Sequence, residues 1–291
     1  MSRSYAFTTK YRDLTLKITL CPLSELKPHE LIVESLLSSL TKRIIECGVI
    51  YDPLIVDEGN LVVLDGMHRL EALKRIGVKF VPVCLVDYNN NNILLKRWFR
   101  IVRSPPKRSV IIGELRSKGL KLRGAEFNEA NNIVNERKAY FALHWKDYSL
   151  IIKGQEHGLV NIVTASKELH ELETTLMSYG AEIKYMTEED AIKTFVNSSD
   201  YILITPILLS KEEVISVALK GDLLAPKSTR HVIPVRPLSI NVPLEILTYS
   251  TNLQGALNWL TNVLSDRNVI LVKGGVVVRD RKYEEDVLLF K

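Results

Sequence analysis

No apolar run in the 291-residue chain approaches the roughly 20 residues that cross a bilayer, and no charged-then-apolar leader opens it. A soluble, cytoplasmic protein without membrane partners is the expectation. Cysteine is scarce. Cys21, Cys47 and Cys84 form no CxxC pair and no even framework, which argues against a disulfide scaffold or a cysteine zinc site. Their apolar surroundings predict reduced core residues. A GxxxxGK[ST] phosphate loop and the signature set of a protein kinase are also missing. His144, His157 and His170 lack metal-ligand spacing and read as surface or packing residues. There are no repeats and no coiled coil. The excess of positive charge is small, +5 from 39 basic and 34 acidic residues. That suits an anionic ligand and is too weak to indicate nucleic-acid binding.

What is present is a chain that is 46% hydrophobic, long enough for a substantial core and for two domains. Residues 13–20, DLTLKITL, alternate polar and apolar side chains as a half-buried strand does. A helical pattern over about 31–47 puts Leu37, Leu40 and Ile44 on one face and stops at Gly48. Strand-like runs follow at 53–57 (PLIVD) and 61–64 (LVVL), then a helix closed by Gly77, then a strand within 78–88. Asn89 to Asn92 form a loop before ILLKRWFRIV, residues 93–102. The segment RSPPKRS, 103–109, is the best linker, because paired prolines continue neither a helix nor an inner strand. It divides the chain into domains 1–108 and 109–291. In the second, strand-like and helix-like patterns alternate, with an acidic first helical turn at Thr187–Asp190 and two strands around Gly274-Gly275. YFALHWKDY, near 139–148, reads as strand packing.

Three constellations could carry chemistry. The first is LDGMHRLEALKRIG, residues 64–77. Lys74 and Arg75 sit in the last turn of its helix, where the dipole favours cations. His68 and Arg69 sit in the first turn, where the field is already positive. Two readings fit. Either Asp65 is a plain N-cap with two solvated neighbours, or an anion sits before the helix, the strand–glycine–helix turn being a common phosphate cradle. The second constellation is LKPHE, residues 26–30, where Glu30 near a helix start has an ordinary electrostatic explanation as well. The third is APKSTRHVIPVRP, residues 225–237. Lys227, Ser228, Thr229, Arg230 and His231 place basic and hydroxyl groups together in a loop, and such donors suit a carboxylate or phosphate.

Taken in order, strand, LKPHE, helix, GVIYDPLIVD, LVVLDGMHRLEALKRIG and VPVCLVDY resemble the ParB/sulfiredoxin-like fold, and within it the archaeal free serine kinases. PKSTRH at 226–231 and RKYEEDVLLF at 281–290 resemble the second domain of that group. The resemblance implies an α/β (α+β) fold: a ParB/sulfiredoxin-like N-terminal nucleotide-binding domain, a second α/β domain contributing the substrate loop, and the active site in the cleft between them. It implies phosphorylation of L-serine to O-phospho-L-serine for cysteine biosynthesis, with ATP or ADP as donor and Mg2+. Glu30 matches the catalytic glutamate that takes the hydroxyl proton. Asp65, Gly66, His68 and Arg69 match the box that holds the phosphates, with Asp65 also near the metal. Met67 stands in that box where relatives carry a polar residue. Lys227 to His231 match the serine-holding segment. On this reading His68 and Arg69 are the counter-charges of the phosphate.

Sulfiredoxin chemistry would need a thiolate in the same box, and position 67 is methionine. A ParB-like nucleotide-dependent DNA-binding regulator is the alternative, and it requires a helix-turn-helix after the first domain. A kinase of another small alcohol is a third possibility.

Overall fold

Successive side chains of a strand point to opposite faces. The alternating segment accordingly becomes the strand Leu14–Pro22, with Leu14, Leu16, Ile18 and Leu20 buried. This computed structural model describes residues 3–155, 158–198, 200–279 and 281–291, so His157 lies outside the described residues. The chain divides into two compact units. The first comprises Met1–Leu94, Val214–Gly221 and His231–Lys291, the second Leu95–Glu213 and Asp222–Arg230.

The first unit holds a five-stranded mixed sheet in the order Phe7–Tyr11, Leu14–Pro22, Phe80–Val86, Leu54–Asp57, Val63–Asp65. Phe80–Val86 is buried at every position and pairs in parallel with Leu54–Asp57. Helix α1 (Glu34–Cys47) and helix α2 (Met67–Ile76) bury Leu37, Ile44, Leu70 and Leu73 against this sheet. Both end at glycines in left-handed backbone, Gly48 at φ 65° and Gly77 at φ 84°, the stops their sequences announced. The helix Leu253–Ser265 adds Leu260 and Leu264 to the same core. A three-stranded sheet, Val235–Leu238, Asp286–Phe290 and Val269–Val272, completes the unit.

The second unit is built on a six-stranded sheet in the order Glu182–Met186, Phe99–Arg103, Ile202–Pro206, Phe141–His144, Ser149–Lys153, Lys121–Ala125, antiparallel throughout. Helices α3 (Arg108–Ser117), α4 (Phe127–Asn135), α5 (Ile162–Ser178) and α6 (Glu188–Val196) belong to it. The Thr187 hydroxyl accepts from the Asp190 N–H at 3.3 Å and caps α6, as its acidic first turn suggested. α3 and α4 are separated by a strand of the sheet, so this segment is not a helix-turn-helix. The mixed α/β class is as expected.

Three expectations differ. The compact units do not part at 108/109. Phe99–Arg103 is an inner strand of the second sheet and α3 lies in the same unit, so Pro105 and Pro106 are irregular backbone that joins them inside the unit. RKYEEDVLLF, matched to a second domain, packs in the first: Asp286–Phe290 runs parallel to Val235–Leu238, and Phe290 reaches the core of α1 and α2. Cys21 and Cys84 are buried, but Cys47 is exposed, because it is the last residue of α1, where the buried face has run out. No helix among the described residues is long and apolar enough to cross a membrane.

Each unit encloses a histidine. His144 is wholly buried, its Nδ1 2.9 Å from Ser149 Oγ and its Nε2 3.1 Å from Thr205 Oγ1. His29 is equally enclosed, with Nδ1 2.9 Å from the Val63 carbonyl. Burial pushes both pKa values down from 6.5 to about 4, because the charged form loses its water. The neutral rings therefore favour the fold above pH 6.5, and that advantage drains away as pH falls from 6.5 through 4. Urea titrations over this range should show a loss of about 3 kcal/mol per histidine. His144→Gln should remove one share of the slope.

Candidate functional site

The strand Val63–Asp65 runs into Gly66, at φ 106°, and α2 begins at Met67. Only glycine fits this turn. A Cβ at Gly66 would come 2.9 Å from Leu54 Cγ and 3.0 Å from Arg69 Nη2, and the left-handed backbone would be strained besides. The N-cap of α2 is Gly66, which has no side chain to cap with, and the first turn carries no acid. Asp65 is thus not the N-cap. A helix start of this kind, with its positive dipole end and no acid of its own, suits an anion. Gly66→Ala should cost about 2 kcal/mol or more and weaken nucleotide binding, measurable by thermal melting and by nucleotide titration.

The charges behind this seat are arranged differently from expectation. Val33 donates its N–H to His68 Nε2 at 3.0 Å, which requires a lone pair there and so a neutral ring carrying its proton on Nδ1. His68 thus latches the preceding loop through Nε2. Arg69 folds back, donating to the Asp52 and Pro53 carbonyls at 2.8 and 3.0 Å and to Asp65 Oδ2 at 3.1 Å. Arg236 Nη1 reaches the same Asp65 oxygen at 2.8 Å, and Arg236 Nε pairs with Glu285. Burial would raise the pKa of Asp65, but Arg236 and Arg69, with Arg281 and His231, outweigh it and hold the carboxyl well below the usual range. Two arginines and two carboxylates balance here. The Met67 side chain turns inward and packs on the core, so it offers the seat only its backbone.

Glu30 is half-buried in a loop anchored at both ends. Upstream, Lys27 donates its N–H to the Leu61 carbonyl and accepts from the Val63 N–H, each at 2.9 Å, and neutral His29 donates from Nδ1 to Val63 O. Downstream, Val33 is held by His68. These anchors delay α1 until Glu34, past the expected 31. Glu30 is one residue from the first anchor and three from the second, and both anchors flank Asp65-Gly66. His231 joins this cluster: its ring meets His29 edge-on at 5.4 Å, and its Nε2 lies 2.7 Å from the Tyr88 hydroxyl.

The first unit thus brings together Glu30, Asp65, Gly66, Met67, His68, Arg69 and His231. Lys227, Ser228, Thr229 and Arg230 belong to the second unit. There Lys227 Nζ and Arg230 Cζ lie 5.6 and 5.3 Å from the Trp98 ring centroid, within cation–π range. Ser228 Oγ donates to the Ala225 carbonyl at 2.7 Å, closing the loop, and Lys227 takes a left-handed φ of 62°. Sequence reasoning missed Tyr88, Trp98, Arg236 and Glu285. Arg236 lies in the stretch 225–237 and Glu285 in the tail 281–290, but nothing local marks Arg236 as a partner of Asp65 or Glu285 as a partner of Arg236. Among the described residues no group of three His, Cys, Asp or Glu side chains could hold a metal.

No family model matches the chain. It is similar to an ATP-dependent L-serine kinase of Staphylothermus marinus, 29% identical over 239 residues that span 78% of this chain and 90% of that one. It is similar also to an ADP-dependent L-serine kinase of Thermococcus kodakarensis, 29% identical over 233 residues, 77% of this chain and 90% of the relative. A solved free serine kinase in complex with AMP superposes with a TM-score of 0.67 at 27% identity, covering 79% of this chain and 93% of that one.

Proposed function

We propose that this chain is a free L-serine kinase, moving a phosphoryl group from ATP or ADP to the serine hydroxyl and releasing O-phospho-L-serine. The observation that carries the reading is the double anchoring of the Glu30 loop to Val63 and His68, on either side of the glycine start of α2, in a chain similar to serine kinases along most of its length. Phosphoryl transfer asks a protein for positioning and charge neutralisation more than for covalent chemistry. The N–H groups at the start of α2 would receive the nucleotide's phosphates. Glu30 would accept the hydroxyl proton as the serine oxygen attacks the terminal phosphorus, leaving ADP or AMP. Lys227, Thr229, Arg230 and His231 would hold the amino acid, with Arg230 matched to its carboxylate.

Magnesium is implied by the resemblance, and Asp65 was its expected ligand. Its Oδ2 already carries Arg69 and Arg236, so a metal bound through that oxygen would displace an arginine. In this reading Asp65 orients the two arginines behind the seat, and a divalent ion would arrive on the phosphates. The product would serve cysteine biosynthesis in the cytoplasm.

Incubating the protein with serine, magnesium and either nucleotide should yield phosphoserine, and a panel including homoserine and sugars should yield far less product. Equal turnover of the panel would replace serine with another alcohol. Arg230→Ala should raise the KM for serine about 10-fold or more, the scale of one charge-assisted hydrogen bond, with little change for the nucleotide. An effect confined to nucleotide affinity would reassign the loop.

A further inference from the structure

Tyr88 is completely buried two residues beyond the strand Phe80–Val86. Its backbone is pinned: the N–H donates to Asp57 Oδ1 at 3.1 Å, while Asp57 Oδ2 accepts from Asn60 N–H at 2.9 Å and from its side-chain amide at 3.2 Å. Asp57 is itself buried. A phenol held this way has little freedom, and a buried hydroxyl needs a hydrogen-bond partner. His231 Nε2 is such a partner, at 2.7 Å. The two rings are 5.3 Å apart at 53°, and the His29 ring packs edge-on against the same imidazole. His231 is therefore gripped by the Tyr88 hydroxyl and by the rings of Tyr88 and His29, all supplied by the first unit.

We propose that Tyr88 is the positioning residue of His231, its hydroxyl donating to Nε2 so that the imidazole is kept in one plane with its own proton on Nδ1. A phenol retains its proton far above neutral pH, so toward a neutral imidazole it donates, and the bond at one ring nitrogen decides where the ring carries its proton. The reach of His231 toward the acceptor alcohol is then set by a residue that touches no substrate. This rests on the serine-kinase reading for its catalytic consequence, but not for the tautomer.

Imidazole nitrogen-15 spectra of the full chain, with His231 assigned by loss of its signals in His231→Asn, test the tautomer directly. The expected result is neutral His231 protonated on Nδ1 in the parent protein and a mixture of tautomers in Tyr88→Phe. Kinetically, Tyr88→Phe should raise the serine KM about 10-fold, the loss of one well-made hydrogen bond, with kcat and the nucleotide KM within about twofold. In the His231→Asn background the same change should do nothing further, which a purely structural tyrosine would not produce. A parent protein with the His231 proton on Nε2 would overturn the proposal, as would an equal effect of Tyr88→Phe in both backgrounds. A parent that shows the Nδ1 proton yet makes no phosphoserine would sink the kinase reading and leave the Tyr88 assignment standing.

Discussion

Glu30→Gln is expected to lower kcat for phosphoserine formation by about 100- to 10,000-fold, the range a positioned general base supplies, while nucleotide affinity stays within about twofold. The reason lies in how the loop is held. Its anchors are the His29 ring on Val63 and the Val33 N–H on His68, and neither uses the Glu30 carboxylate. Glutamine keeps the shape and the hydrogen-bonding capacity of the side chain but cannot take a proton from an alcohol. Stability should change little, since the residue is only half-buried. Steady-state kinetics with nucleotide titration measure both quantities. A variant that turns over at the parental rate would remove Glu30 from the mechanism.

The largest structural effect belongs to Arg236→Met. This arginine is 7% exposed and links Asp65, before the seat, to Glu285. Removing it leaves Glu285 without its guanidinium, and Asp65 with Arg69 but without its second partner. Breaking such a buried network at one member costs about 3 kcal/mol, a drop in Tm of several degrees for a chain of this size. Nucleotide affinity should fall too, because Asp65 leads directly into Gly66. Converting Glu285 to methionine in the same chain should return part of the stability, since replacing both charges leaves none stranded. Arg236→Lys should fall between, lacking the fork that reaches two carboxylates. The pH dependence follows from the depressed carboxyl of Asp65. Its contribution is present above its unfolded pKa, near 4, and is lost as pH falls below that. In Arg236→Met that acid-labile share should shrink. Chemical denaturation at pH 3 and pH 7 would show it; an unchanged difference would mean that Arg236 does not support Asp65.

Much of the first unit was legible along the chain. The run LVVL, then Asp65-Gly66, then Leu70, Leu73 and Ile76 up to Gly77, is local information: one strand, one glycine turn and one helical face read from spacing. Gly48 and Thr187 marked their helices in the same way. Local signals failed where the partner was remote. Pro105 and Pro106 read as a linker because two prolines disrupt regular hydrogen bonding wherever they stand, and only the pairing of Phe99–Arg103 with Glu182–Met186 and Ile202–Pro206 places them inside a unit. Cationic residues at the start of α2 read correctly as unusual, but their partners in the structure were not readable from spacing. Spacing cannot show that Val33 will donate to His68, or that Arg69 will turn back to Asp52 and Pro53.

The sequence alone determined the secondary elements around the seat and the residue types assembled there, because helix stops, strand alternation and a glycine at φ 106° are settled within a few residues of chain. Tertiary structure alone decided the company those residues keep. Arg236 reaches Asp65 across 171 residues, and Tyr88 reaches His231 across 143. Such contacts form because the strands Val235–Leu238 and Asp286–Phe290 and the helix Leu253–Ser265 bury their apolar faces in the first unit. That burial is non-directional and depends on area, so it leaves no motif, yet it settles which charge neutralises which and which ring nitrogen carries a proton.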